Sequence, residues 1–125
     1  MGKKILVVDD TNSILENLQE LLLMEGYDVV TATNGIEALS KLEKEVPDLI
    51  ITDLVMPRTD GFVFIRLVKK QARLRGVPIL IFSAKSMEEE GKRIAELGAD
   101  NFLPKPSSAE VILDSVRALI SKNEK

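Results

Sequence analysis

Histidine and cysteine are both absent from this sequence. Without histidine there is no Ser-His-Asp triad, no imidazole-bound zinc and no imidazole base working near neutral pH. Without cysteine there is no disulfide framework and no thiolate chemistry, a composition suited to a reducing compartment. Long apolar runs are missing too, and none approaches the roughly 20 residues of a membrane span. The apolar run after Met1-Gly2-Lys3-Lys4 is too short for a signal-peptide core, and the myristoylation pattern fails at Leu6, where Ser or Thr is required. A basic excess is also lacking: the net charge of −3 argues against a nucleic-acid surface. The one local concentration of cations, Lys69, Lys70, Arg73 and Arg75, reads as a solvated helix face. These absences lead to the expectation of a cytoplasmic protein with neither nucleic acid nor membrane as partner.

What is present is enough for one domain with a real core, 125 residues with ordinary apolar content. Short apolar runs alternate with segments of helical period. The reading is strand 4–9, helix 13–24, strand 28–32, helix 35–45, strand 48–53, helix 61–73, strand 78–83, helix 87–97, strand 100–103 and helix 107–121. Ile14, Leu18, Leu21 and Met24 are the expected inner face of the first helix, and Val111, Val116, Leu119 and Ile120 that of the last. Ser13 with Glu16, Ser86 with Glu89, and Ser107 with Glu110 match the capping-box pattern. Gly26 and Gly98 stand where a helix ends in a left-handed residue, and Pro47 and Pro78 punctuate the approaches to two strands. The helix at 87–97 is poor in apolar residues and carries Gly91 inside it, which reads either as simply an exposed helix or as a low-stability element that can shift. No repeat, low-complexity tract or linker interrupts the pattern, and the polar tail 121–125 is expected to fray.

Five strands alternating with five helices imply an α/β fold: a doubly wound five-stranded parallel sheet covered on both faces. The expected order is 2-1-3-4-5, with a ligand site where the order switches between strands 1 and 3. The strand ends are the informative feature. Ile5-Leu6-Val7-Val8 ends in Asp9-Asp10, and Leu49-Ile50-Ile51-Thr52 ends in Asp53. Ile79-Leu80-Ile81-Phe82 ends in Ser83, and Phe102-Leu103 is followed by Lys105-Pro106. A lone strand-end Asp is ordinarily a turn or cap residue, but parallel strands bring all five groups to one edge. Two carboxylates about 4 Å apart repel by about 4 kcal/mol at an effective dielectric of about 20. Mg²⁺, a cation that prefers oxygen ligands, together with Lys105 would relieve that repulsion. It would also leave room for a phosphoryl oxygen, with Asp53 as nucleophile.

The segments Val7-Val8-Asp9-Asp10, Asp53-Leu54-Val55-Met56-Pro57-Arg58-Thr59-Asp60-Gly61, Phe82-Ser83-Ala84 and Lys105-Pro106 resemble the receiver domain of two-component response regulators. The likeness runs through essentially the whole chain, in order and spacing, and implies a single receiver domain over residues 1–125. It implies Asp53 as phospho-acceptor, with Asp9, Asp10, Asp53 and the backbone carbonyl of Val55 around Mg²⁺, Asp9 largely through water. It implies Ser83, with Ala84 beside it, and Lys105 as the groups that meet the attached phosphoryl, a cis bond before Pro106, and Phe102 as an aromatic switch that turns inward as Ser83 moves. The donor would be a phosphohistidine on a sensor histidine kinase or histidine phosphotransfer protein. The output would pass to a protein target through helix 87–97, strand 100–103 and helix 107–121. Such a chain is a switch, not an enzyme, catalysing only its own phosphorylation and dephosphorylation.

Thr59 stands where many members carry Met, a departure of little consequence. Val55 and Lys85 occupy the two positions that flank the hydrolytic water in the family, and neither can orient it through a carboxylate or carboxamide. Three other readings share the pattern. A phosphatase of the haloacid dehalogenase type would need Asp-x-Asp in place of the adjacent Asp9-Asp10. A flavodoxin relative would need a Ser/Thr/Gly-rich phosphate loop after strand 1. A receiver that scaffolds without phosphorylation would not need the complete acid set.

Overall fold

The computed structural model describes residues 2–56, 60–84 and 87–122, with the backbone alone for 87–90. Strands and helices alternate as β1 (Lys4–Val8), α1 (Asn12–Met24), β2 (Asp28–Ala32), α2 (Gly35–Leu42), β3 (Leu49–Thr52), α3 (Gly61–Lys70), β4 (Ile79–Ser83), α4 (Met87–Glu96), β5 (Asn101–Pro104) and α5 (Ala109–Lys122). A single 3₁₀ turn, Ala72–Leu74, separates α3 from β4. All strand pairs are parallel, and the sheet order is β2-β1-β3-β4-β5, as the alternation implies.

The central strands are apolar throughout because both faces of the sheet are covered. Side-chain alternation divides them between two cores. Leu6, Val8, Ile50, Ile79 and Ile81 face α2, α3 and α4. Ile5, Val7, Leu49, Ile51, Leu80 and Phe82 face α1 and α5. Each such aliphatic side chain taken fully out of water is worth roughly 1.5–3 kcal/mol, so the sheet is the rigid platform from which the loops project.

Helix phases and caps differ from the sequence expectation in instructive ways. The buried stripe of α1 is Leu15, Leu18 and Leu22; Ile14 and Leu21 border it, and Met24 is exposed. In α5, Ile112 and Leu113 join Val116, Leu119 and Ile120 in the core, whereas Val111 is exposed. Ser13 and Ser107 are not the caps. Helix α1 starts after Thr11, whose side chain makes no capping bond. At α5 it is Ser108 Oγ that accepts the Val111 N–H, at 3.2 Å, while Ser107 Oγ donates to the Pro104 carbonyl. The pattern proposed at Ser86 and Glu89 lies outside the described residues. Asn34 caps α2 by accepting the Glu37 N–H at 2.8 Å. That helix stops at Leu42, short of residue 45, where the chain tightens into a Lys44 N–H to Lys41 carbonyl bond. Gly26 and Gly98 do take positive φ, 92° and 74°. Helix α5 includes Ser121 and Lys122, and the rest of the tail expected to fray, 123–125, lies outside the described residues.

Two features place the α3 and α4 side of the site. Gly61 opens α3 against the end of β3, and a Cβ there would lie 2.5 Å from Leu54 Cα and 2.6 Å from the Asp53 carbonyl oxygen. Only glycine permits that approach without moving the backbone that carries Asp53. Among the described side chains of helix α4, Ile94 enters the core together with the following Leu97, and the Arg93 guanidinium lies 3.8 Å over the Phe62 ring.

Candidate functional site

Val8 of β1 is level with Thr52 of β3, so Asp9 and Asp53 leave the sheet side by side. The Asp53 N–H still donates to the Val8 carbonyl at 3.0 Å. This is the C-terminal edge of the sheet at the point where strand order reverses, the crevice in which ligands of such folds bind. One carboxylate oxygen from each of Asp9, Asp10 and Asp53 lies within 4.8 Å of the other two. Asp9 and Asp53 are 2% and 7% exposed, and Asp10 is open to solvent.

Lys105 bridges the two buried carboxylates. Its Nζ donates to Asp9 Oδ2 at 2.7 Å and to Asp53 Oδ2 at 2.9 Å. The other oxygens are held by the backbone: Asp9 Oδ1 accepts from the Thr11 N–H at 2.9 Å, and Asp53 Oδ1 from the Leu54 and Val55 N–H groups at 2.7 and 3.3 Å. Each buried carboxylate therefore has one oxygen tied down and one turned to the ammonium. Burial works against the charge on Lys105, but hydrogen bonds to Asp9 and Asp53 and their negative charge outweigh it, holding the ammonium above the usual lysine range.

β5 and its continuation position Lys105. Its backbone N–H donates to the Ser83 carbonyl at 3.0 Å, extending the β4–β5 ladder, and the Lys105–Pro106 bond is cis. Ser83 is fully buried at the end of β4, and Ala84 beside it is exposed. Val55 contributes its N–H to Asp53 while its side chain is exposed. Phe102 lies opposite Ile81 in the sheet and packs half-buried against the α2–α3–α4 core. The structure thus gathers Asp9, Asp10, Asp53 and Lys105 directly and joins Ser83 to them through the backbone of Lys105, whereas Phe102 stands three residues before Lys105 in the core. Lys85 lies outside the described residues, as do Pro57, Arg58 and Thr59. Asp60, exposed, caps α3 by accepting the Phe62 N–H at 2.7 Å.

Sequence reasoning passed over two neighbours of the site. The Phe82 ring centroid is 5.7 Å from Lys105 Nζ, within cation–π range. Period-2 alternation alone places Phe82 on the α1–α5 side, but nothing local announces the lysine. Phe82, Lys105 and Pro106 also border a largely apolar groove of about 470 Å³ between α1 and the start of α5.

Three carboxylates facing one ammonium leave a residual charge of −2, and every donor is a hard oxygen. That donor set fits a small divalent cation such as Mg²⁺.

Residues 5–117 match the family model described as the response regulator receiver domain. The alkaline phosphatase synthesis transcriptional regulatory protein PhoP of Bacillus subtilis is 43% identical over 99% of this chain and 51% of its own length. The chain spans about half the length of the first curated relatives it matches. Among solved structures, the receiver domain of a signal transduction histidine kinase from Syntrophus aciditrophicus superposes with a TM-score of 0.93, at 35% identity, over 99% of this chain and 94% of that one. The receiver domain of a sensor histidine kinase from Pseudomonas aeruginosa, solved with a magnesium ion coordinated in the active-site cleft, gives a TM-score of 0.90 at 26% identity, over 97% of this chain and 99% of that one.

Proposed function

We propose that this chain, which belongs to the response regulator receiver domain family, is a single receiver domain over residues 1–125 that takes a phosphoryl group onto Asp53 and acts as a phosphorylation-controlled switch. The observation that carries the reading is the carboxylate cluster at the ends of β1 and β3, closed by an ammonium that touches both Asp9 and Asp53.

The donor is a phosphohistidine on a sensor histidine kinase or a histidine phosphotransfer protein; these 125 residues hold no histidine that could serve. An Asp53 carboxylate oxygen bonds to phosphorus, the bond from phosphorus to the donor's ring nitrogen breaks, and the released imidazole takes up a proton. Backbone N–H groups on Asp53 Oδ1 fix the carboxylate for that attack, so positioning is settled before the donor arrives. Asp9, Asp10, Asp53 and the Val55 carbonyl are the groups that would hold Mg²⁺, which when bound supplies positive charge against the phosphoryl oxygens. Lys105 pairs with an oxygen of the attached phosphoryl, and Ser83, beside Ala84, donates a hydrogen bond to another. Those two contacts exist only in the phosphorylated form, so they can bias a pre-existing equilibrium. Phe102 turning inward carries the change to the face of α4, β5 and α5, where a protein target binds. The chain turns over only its own phosphoryl group and works in the cytoplasm, with neither nucleic acid nor membrane as partner. Among the described residues no helix is long and apolar enough to cross a membrane.

Titration with Mg²⁺ followed by NMR tests the site. Resonances of Asp9, Asp10 and Asp53 are expected to shift, with weak affinity because few protein ligands are available. Asp10→Asn is expected to weaken binding markedly; unchanged affinity in that variant counts against the assignment.

The phosphoryl group on Asp53 is expected to be long-lived. Hydrolysis needs a water aligned with the phosphorus; the Val55 side chain cannot hydrogen-bond it, and a charged Lys85 side chain has donors only. Val55→Asn combined with Lys85→Glu should speed phosphate loss severalfold with the same Mg²⁺ dependence. A time course in which the parent loses phosphate as fast as the double variant would reject this role for the two positions.

A further inference from the structure

Arg66, Lys69, Lys70, Arg73 and Arg75 lie on α3 and the turn that follows it, and residues 61–84 contain no acidic residue. In a chain of net charge −3, these five cations leave the remainder at −8. Among the described residues none of the five makes an ion pair, whereas Lys4, Lys41, Lys105 and Arg117 each do. Part of the cluster has a structural explanation. The Arg73 guanidinium donates to the Leu42 carbonyl at the end of α2, Arg75 turns back to the Lys69 carbonyl, and Lys69 and Lys70 complement the negative end of the α3 dipole. Arg66, in mid-helix, has no such role. Val63, Arg66, Leu67 and Lys70 are all exposed at i, i+3, i+4 and i+7, a single outward stripe. Its two apolar members are 42% and 38% exposed.

The outward stripe of α1 is the inverse. Asn12–Met24 holds two glutamates and no cation. Glu16 and Glu20 are exposed, and neither makes an ion pair among the described residues; Leu23 is 51% exposed. Read backwards, Leu23, Glu20 and Glu16 are separated by three and then four residues; read forwards, so are Val63, Arg66 and Lys70. Antiparallel helices in that register set Leu23 on Val63, Glu20 on Arg66 and Glu16 on Lys70. Helices α1 and α3 pack on opposite faces of the sheet, so the two stripes cannot meet within one molecule.

We infer that the α3 stripe docks, antiparallel, on the α1 stripe of a second copy of this chain. The two patches differ and face opposite ways, so the contact is heterologous and repeats head to tail instead of closing a twofold dimer. One helix pair buries less than the roughly 1,000 Å² of a stable interface, and exposed ion pairs are screened by salt. The association is therefore weak, concentration-dependent and lost at high ionic strength. Val63 and Leu67 beside the cations favour a protein surface over a nucleic-acid backbone, which needs charge alone.

Sedimentation velocity on the full chain, from micromolar to near-millimolar concentration, tests the contact. At low salt the weight-average mass is expected to rise with concentration and to return to the monomer at high salt. Arg66→Glu with Lys70→Glu, and separately Glu16→Lys with Glu20→Lys, should each stay monomeric while keeping the parent's far-ultraviolet circular dichroism. An equimolar mixture of the two variants should regain association, because each supplies the face the other has lost. A parent that remains monomeric throughout, variants that associate like the parent, or a folded mixture that fails to associate would each overturn the inference. So would a monomeric parent whose α3 cations instead retain a single-stranded oligonucleotide.

Discussion

Lys105→Met is expected to lower the stability of the metal-free chain by about 3–5 kcal/mol, the cost of leaving buried charge without its partner. Asp9 and Asp53 are nearly inaccessible, and the Lys105 ammonium is within 2.9 Å of both. Methionine keeps the length and apolar stem of the side chain, so the change isolates the charge. Urea denaturation of parent and variant, each with and without Mg²⁺, checks the expectation. The divalent cation should restore more stability to the variant than to the parent, because only the variant lacks a positive charge at the carboxylates. A variant within about 1 kcal/mol of the parent in the absence of metal would contradict the ion-pair account. The pH dependence has a definite sign. Lys105 is held above the usual lysine range, so its contribution is complete below the unfolded-state pKa and disappears only as pH rises through the higher folded-state value. Across neutral and mildly alkaline pH the difference between parent and variant should therefore hold, and it should shrink in strong alkali.

Asp53→Asn is expected to abolish acceptance of phosphate from radiolabelled acetyl phosphate. The amide oxygen can still accept the Leu54 and Val55 N–H bonds that orient Asp53, so the loop geometry survives. The carboxylate that must form the acyl phosphate is gone. Asp60→Asn is the matched control. Asp60 is an acid of the same loop, but it spends its oxygen capping α3, and asparagine caps a helix as well as aspartate does. That variant should label like the parent. Label surviving in Asp53→Asn would move the acceptor to another residue.

Much of this site was legible in the sequence, because each strand signals its own end. Apolar runs that stop at Asp9-Asp10, Asp53 and Ser83 sit at the same edge once the strands are parallel, and the alternation of elements dictates that they are. Two things were not legible, for separable reasons. The phase of α1 was misread because Leu21-Leu22-Leu23-Met24 offers an apolar residue at every position, and only packing against β1 and β2 selects Leu22 over Leu21 and Met24. The caps at Thr11 and Ser108 were displaced by one or two residues from the pattern matches because Ser13 and Ser107 have the right chemistry in the wrong backbone position. Lys105 belongs with what was legible: parallel strands put it at the edge that holds the carboxylates, and its Nζ donates to Asp9 and Asp53 there, across 96 and 52 residues of sequence.

In the proposed function, Asp53 forms an acyl phosphate with help from a divalent cation held at the same carboxylates. The most direct test is to treat the chain with acetyl phosphate, with Mg²⁺ or with chelator, reduce the acyl phosphate with borohydride, and map the reduced residue by peptide mass spectrometry. Modification is expected at Asp53 when Mg²⁺ is present, with little or none in chelator. Modification at Asp9, Asp10, Asp60 or a hydroxyl residue, or equal modification of Asp53 with and without Mg²⁺, would contradict it.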